Sequence, residues 1–207
     1  MNDVPGPPPP RLVGERVVLR EMTEADLPRL TAAVVDPASA WATTVPSPYG
    51  PLDAAYFLEC VVRDGWARNS GWTFAFEARG ESAAAGAYAG SIDLRSTGTG
   101  RAEIGFLTHP DSRGRGLTTD AARTILRWGL GPMGLTSVEW RARVGNTASL
   151  RIAWSCGFSA DGLIREGMEQ RGVRLDCHVG SLLAGEPIAP REPWEDWLRG
   201  VRAAPQR

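Results

Sequence analysis

The stretch from Glu103 to Leu126 reads EIGFLTHPDSRGRGLTTDAARTIL. Glu103 to Thr108 has the pattern of a strand, whereas Leu117, Ala121, Ile125 and Leu126 recur at a helical period from Gly116 onward. Between them lies an arginine turn carrying Gly114 and Gly116. Glycine accepts backbone dihedrals closed to other residues and lets the main chain approach a ligand, so successive amides can converge at the helix start. The helix dipole and the free N–H groups there favour phosphate, and Arg113 and Arg115 can add charge-assisted contacts. Taken alone, an RGRG turn reads as an ordinary strand-to-helix junction with solvated arginines.

Further along, beyond an alternating segment from Leu135 to Val144, the chain reads VGNTASLRIAWSCGF. Asn146 opens a short helix running to Cys156, with Ser149 three positions along it. Both side chains suit the capping of first-turn amides. Both also stand at the mouth of a strand-to-helix junction, within reach of a ligand held by the preceding turn.

Working outward, the proline run from Pro5 to Pro10 suits neither a helix nor a central strand, and residues 1–11 are expected to be a flexible proline-rich leader. Glu15 to Glu21 alternates as a strand, and Thr23 with Asp26 opens a helix through Val35. A loop rich in Pro, Ser, Trp and Tyr precedes a second helix from Leu52 to Ala67. Strands at Trp72 to Arg79, Ala85 to Arg95 and Glu103 to Thr108 form an antiparallel meander. Two last strands, Phe158 to Glu169 and Val173 to Leu183, meet at a tight turn near Gln170 to Gly172. A tail, residues 185–207, offers a short helix with Trp194, Trp197, Leu198 and Val201, more suited to docking on its own domain than on a partner. The order of elements describes an α+β fold, one mixed sheet with helices on its faces, over residues 12–184.

Composition removes several functions. The formal charge of −1 provides no basic field for nucleic acid or an anionic membrane. Three cysteines at wide spacing and two histidines make neither a disulfide framework nor a zinc site, so no metal is expected. No apolar run reaches the roughly 20 residues that span a bilayer, and the first residues lack the pattern of a secretory signal, so a cytoplasmic location is expected. All 23 basic residues are arginine, which excludes Schiff-base and P-loop lysine chemistry and has an ordinary origin in arginine-rich codon usage.

With both motifs in view, the chain resembles the GNAT acetyltransferases, and within them the RimJ/RimL-like branch of ribosomal-protein N-terminal acetyltransferases. RGRGLT is similar to the superfamily's pyrophosphate motif, with Thr118 standing where the motif ends in glycine or alanine. NTASLRIAWSCGF is similar to the branch's Asn and Ser helix ending in Gly-Phe, and ERVVLREMTEADLPRL to its opening strand and helix. The resemblance covers Leu12 to Ala184. It implies a mixed, mostly antiparallel, twisted central sheet flanked by helices on both faces, and an N-acyltransferase using acetyl-CoA or another short acyl-CoA. The main chain of Phe106, Leu107 and Thr108 would pair with the pantetheine arm. Amides of Arg113, Gly114, Arg115, Gly116, Leu117 and Thr118 would hold the pyrophosphate, and Asn146, Ser149 and Arg151 would line the pantetheine and thioester side.

Such a reaction needs a base for the acceptor ammonium, and groups to stabilise the oxyanion and protonate the leaving thiolate. Glu103 opens the strand leading into the cofactor turn and is the first candidate base; a strand-end carboxylate paired with an arginine is the equal alternative, and Asp93 is the reserve. Ser149 is the candidate acid. Many relatives use a late tyrosine, but Gly180 stands near that place, leaving His178 as a substitute that reads more simply as a structural residue. The expected acceptor is an amine on a protein N-terminus or a small molecule, and a homodimer is left open. Trp41, Tyr49, Trp66 and Trp72 fall on the acceptor side of such a fold, where core packing explains them as well. A non-catalytic acyl-CoA-binding module is the rival from another class.

Overall fold

A computed structural model describes residues 9–80 and 86–203. Its frame is an eight-stranded sheet in the order β1-β2-β3-β4-β5-β6-β8-β7. Strands β1 (Leu12–Val13) and β2 (Val17–Arg20) form a hairpin where the sequence reads as one strand. β3 (Gly71–Ala78), β4 (Tyr88–Gly98) and β5 (Arg101–Thr108) then make the expected antiparallel meander. Ala85, placed at the start of that middle strand by the sequence reading, lies outside the described residues. β6 (Ser137–Arg143) joins β5 in parallel, while β8 (Val173–Leu183) inserts antiparallel between β6 and β7 (Ser159–Gln170).

Alternation along the strands sends side chains to two cores. Phe74 and Phe76 pack on one face with Ile92, Ile104, Val138 and Trp140 under α5 (Leu117–Leu130), while Ala75 between them faces Met22, Leu30 and Leu58. That second core lies under α1 (Leu27–Val35) and the helical run α3 (Pro51–Tyr56), a π-helical segment Phe57–Arg63, and α4 (Asp64–Ala67). Helices therefore cover both faces. The loop expected after α1 contains a further short helix, α2 (Pro37–Ala42). Asp36 caps it, accepting from Ser39 N at 3.1 Å, and Pro37 supplies a helix-ready first residue.

α6 (Thr147–Ser155) follows β6, and α7 (Trp194–Ala203) packs beside β7. Trp197 of α7 is 3% exposed, lies 6.4 Å from Trp140, and donates its indole N–H to Phe158 O at 2.7 Å. The tail helix thus docks on its own domain. Among the described residues no helix is long and apolar enough to cross a membrane.

Candidate active site

β5 and β6 pair only from Arg101–Ser137 to Ile104–Trp140, although β5 continues to Thr108 and β6 to Arg143. Beyond Ile104 each is held by its outer neighbour, β5 by β4 and β6 by β8. The strands consequently part, and the β5 edge of the opening is the main chain of Phe106, Leu107 and Thr108. A strand edge with unpaired N–H and C=O groups can accept another extended, amide-bearing chain.

The arginine turn sits at the same end of the sheet. Gly114 and Gly116 have φ of +70° and +72°, the left-handed region that disfavours side chains. Gly116 is the N-cap of α5 and brings no side chain to its first-turn amides, leaving them for an outside acceptor. Leu117 is buried in the core and fixes the helix start, whereas Arg115 is exposed. Arg113 is already engaged: its Nη2 lies 2.5 Å from Asp36 Oδ2 and 2.8 Å from Ser39 Oγ, bracing the turn against α2. The guanidinium beside Asp36 holds that carboxyl below its ordinary range.

Thr118, the departure from the motif, turns its side chain toward β5. Its Oγ1 is 2.6 Å from Thr108 Oγ1, so the two ends of the turn are tied together. Two further braces escaped the sequence reading. His109 accepts Asp111 N through Nδ1 at 3.3 Å and meets Arg29 Nη2 at 3.0 Å, and Asp120 Oδ2 accepts the amides of Arg16 and Val17 at 2.7 and 3.1 Å. Burial and the Arg29 charge push the His109 pKa down.

On the far side of the opening, Asn146 caps α6 by accepting from Ser149 N at 3.1 Å. The Ser149 hydroxyl accepts the buried Trp140 indole N–H at 2.9 Å, which orients the oxygen and leaves its proton to be donated. Arg151 parts from this pair: its guanidinium lies over the Trp194 ring at 4.6 Å, on the side of α6 that faces α7.

Glu103 and Asp93 share one arginine. Arg95 Nη2 donates to Glu103 Oε1 and Nη1 to Asp93 Oδ2, each at 2.8 Å, with Arg141 Nε 3.6 Å from Glu103 Oε2. Gly105 leaves the room, since a side chain there would meet Asp93 Oδ1 and Arg95 Nη1, both at 2.7 Å. Burial pushes the Asp93 carboxyl above its ordinary range despite the arginine. Glu139, bonded to Arg141 at 2.6 Å, completes a cluster with one more acid than base. Arg95 and Arg141 were absent from the sequence reading because strand register, not spacing, brings them to Glu103. His178 is buried, 8% exposed, and lines a recess between α6 and α7. Among the described residues, no group of three His, Cys, Asp or Glu side chains is placed to hold a metal.

The sequence profile of the acetyltransferase (GNAT) domain matches residues 16–159 of this chain. The chain belongs to the GNAT acetyltransferase family. As a GNAT protein it is 30% identical over 87 residues to the uncharacterized N-acetyltransferase p20 of Bacillus licheniformis, covering 42% of this chain and 49% of p20. It therefore spans about half the length of that relative. A longer match, 26% over 176 residues, covers 84% of this chain and 94% of a Bacillus subtilis protein provisionally named ribosomal N-acetyltransferase YdaF. Among solved GNAT-fold structures, Mycobacterium smegmatis RimJ, in complex with CoA-disulfide, superimposes with a TM-score of 0.75 at 18% identity, covering 96% of this chain and 98% of that one.

Proposed function

We propose that this GNAT protein is a cytoplasmic acyl-CoA-dependent N-acyltransferase, most simply an acetyltransferase, acting on a primary amine by direct attack on the thioester. The parting of β5 and β6 beyond Ile104 carries this reading. It leaves the Phe106–Thr108 edge for the amides of a pantetheine arm, beside uncapped first-turn amides of α5 suited to a pyrophosphate. Acyl-CoA supplies the activated acyl group; the chain's residues bind it and move protons. Asn146 and Ser149 border the opening from α6, and the oriented Ser149 hydroxyl is the proton donor.

The acidic excess around Glu103 favours an ammonium acceptor over an anionic one. Glu103 stands on β5 itself, one strand nearer the opening than Asp93, and is the assigned base, with Arg95 and Arg141 fixing its orientation. The acceptor class is an amine on a protein N-terminus or on a small molecule, and YdaF is named as a ribosomal N-acetyltransferase. Thiol release from acetyl-CoA, followed across a panel of peptide and small amines and repeated with succinyl-CoA, tests the reading. Turnover on any member supports it; tight CoA binding with no turnover on every member makes the chain a non-catalytic acyl-CoA-binding module.

A further inference from the structure

α6 has two working sides. One meets α5, where Arg123 Nη2 donates to Ser155 O at 2.9 Å and Cys156 packs against Thr119. The other looks away, toward α7 and the last two strands, across a cavity of about 500 Å³. Thr147, Leu150 and Arg151 form its α6 wall, Leu163 and His178 its strand wall, and Trp194, Leu198 and Val201 its α7 wall. The α7 wall stands outside the segment matched by the GNAT profile, which ends at residue 159.

The chemistry of this lining is selective. Its residues are chiefly apolar, with one cation, Arg151, and no carboxylate. The guanidinium is held over the Trp194 ring, 4.6 Å from its centroid, so it is already oriented at the wall. His178 is 8% exposed, and among the described residues its buried Nδ1 has no hydrogen-bond partner. A mostly apolar recess of this size with a few polar groups has the make-up of a small-molecule site.

We propose that the recess between α6, α7 and the β7–β8 pair is a second ligand site, for a small apolar or aromatic carboxylate. The carboxylate pairs with Arg151, and the apolar body rests on Leu150, Leu163, Leu198 and Val201 beside the imidazole of His178. Its lining includes no residue of β5, the arginine turn or α5, so it is distinct from the cofactor opening and adjoins it only at Val144 and Gly145, just before Asn146. It has a mechanical link to the candidate acid: Leu150 is adjacent to Ser149, and Trp197 of α7 packs on the Trp140 whose indole holds the Ser149 hydroxyl. A ligand that fixes α6 against α7 therefore acts on the Ser149 side of the reaction centre.

Calorimetry on the full chain saturated with CoA tests the site, using hexanoate, benzoate and phenylacetate as probes and their neutral amides as controls. The expected result is saturable binding of at least one carboxylate, at least tenfold tighter than its amide, the scale of one charged hydrogen bond. Leu198→Trp, which fills the recess, should abolish that binding without changing CoA affinity, and Arg151→Gln, at an exposed side chain, should weaken it at least tenfold should the tryptophan variant not fold. No binding of any carboxylate up to about 10 mM, displacement of the carboxylate by CoA, or unchanged binding in the folded variants would overturn the proposal. Because binding is read directly, these outcomes are independent of whether the chain turns over acetyl-CoA.

Discussion

At the scale of single residues, each candidate has a measurable signature that its local geometry sharpens. A Cβ built on Gly114 meets nothing within 4 Å and one on Gly116 only an arginine tip at 4.0 Å, so crowding does not require these glycines. Their positive φ does, together with the open main chain at the start of α5. Gly116→Asp, which adds strain and a negative charge there, should fold and lose CoA binding in calorimetry; unchanged affinity would place the anion site elsewhere. Ser149→Ala removes the proposed proton donor and strips the buried Trp140 N–H of its acceptor, a cost of about 1–3 kcal/mol. On folded protein it should lower kcat more than it raises the CoA Kd. Glu103→Gln keeps the shape and some bonding to Arg95 but accepts no proton. It should bind CoA normally, lose about a hundredfold in turnover near neutral pH, and recover part of that loss at high pH, where more amine arrives deprotonated. Turnover equal to the parent at every pH would pass the role to Asp93, whose carboxyl burial already pushes up.

At the scale of elements, local periodicity made most of the fold legible and non-local pairing hid the rest. The alternation of Val138, Trp140 and Ala142 marks β6 correctly, and all three are buried; Val144, expected on the same face, falls just past the strand and is exposed. The turn after Gln170 is also legible, with Arg171 and Gly172 both at positive φ. α2 was missed because Pro37 after Asp36 reads as a break, although a proline at the first helical position does the opposite. Nothing local announces that β8 lies between β6 and β7, or that Arg95 faces Glu103, since both follow from register. The turn joining β5 to α5 was legible as a glycine turn opening a helix but not as a braced one, and its brace predicts a pH response. With its pKa lowered in the fold, neutral His109 contributes stability that is present above the ordinary histidine pKa and declines as pH falls below about 6.5. His178, also lowered by burial, adds in the same direction, while Asp93, raised by burial, opposes them at lower pH. His109→Asn can still accept Asp111 N and cannot titrate. Its thermal midpoint should therefore fall less than that of the parent between pH 7.5 and 5.5, windows set by the ordinary histidine value of about 6.5; an equal fall would remove His109 from the account.

For the whole molecule, the question is what the tail contributes to a fold whose family profile ends at residue 159. The sheet already has β7 as its last strand, and α7 lies against that strand and meets α6 through Trp194, which contacts Trp154 and Arg151. Its hold is specific: Trp197 is buried against Trp140 and bonded to Phe158 O, Trp154 donates to Glu192 O at 2.9 Å, and Trp194 packs between Trp154 and Trp197 at 5.7 and 5.8 Å. Gly157, at φ +83°, is part of the same seam, since any side chain there would strike the carbonyl oxygens of Pro187 and Ala189 at 2.5 and 2.6 Å. Trp140 is the common member of this seam and of the Ser149 hydrogen bond, so the tail supports the proposed proton donor from behind. Trp197→Ala should cost about 3–5 kcal/mol, the range for truncating a fully buried aromatic. Because the lost packing lies behind Trp140, the folded variant at low temperature should also show reduced kcat with CoA affinity little changed. Trp197→Phe, which keeps most of the buried area and gives up only the bond to Phe158 O, should recover most of the stability and most of the turnover together. Denaturant unfolding and steady-state kinetics on the two variants separate the possibilities. Stability lost without any change in kcat would make α7 a packing element alone, whereas a parallel loss and rescue ties the tail to the position of Ser149.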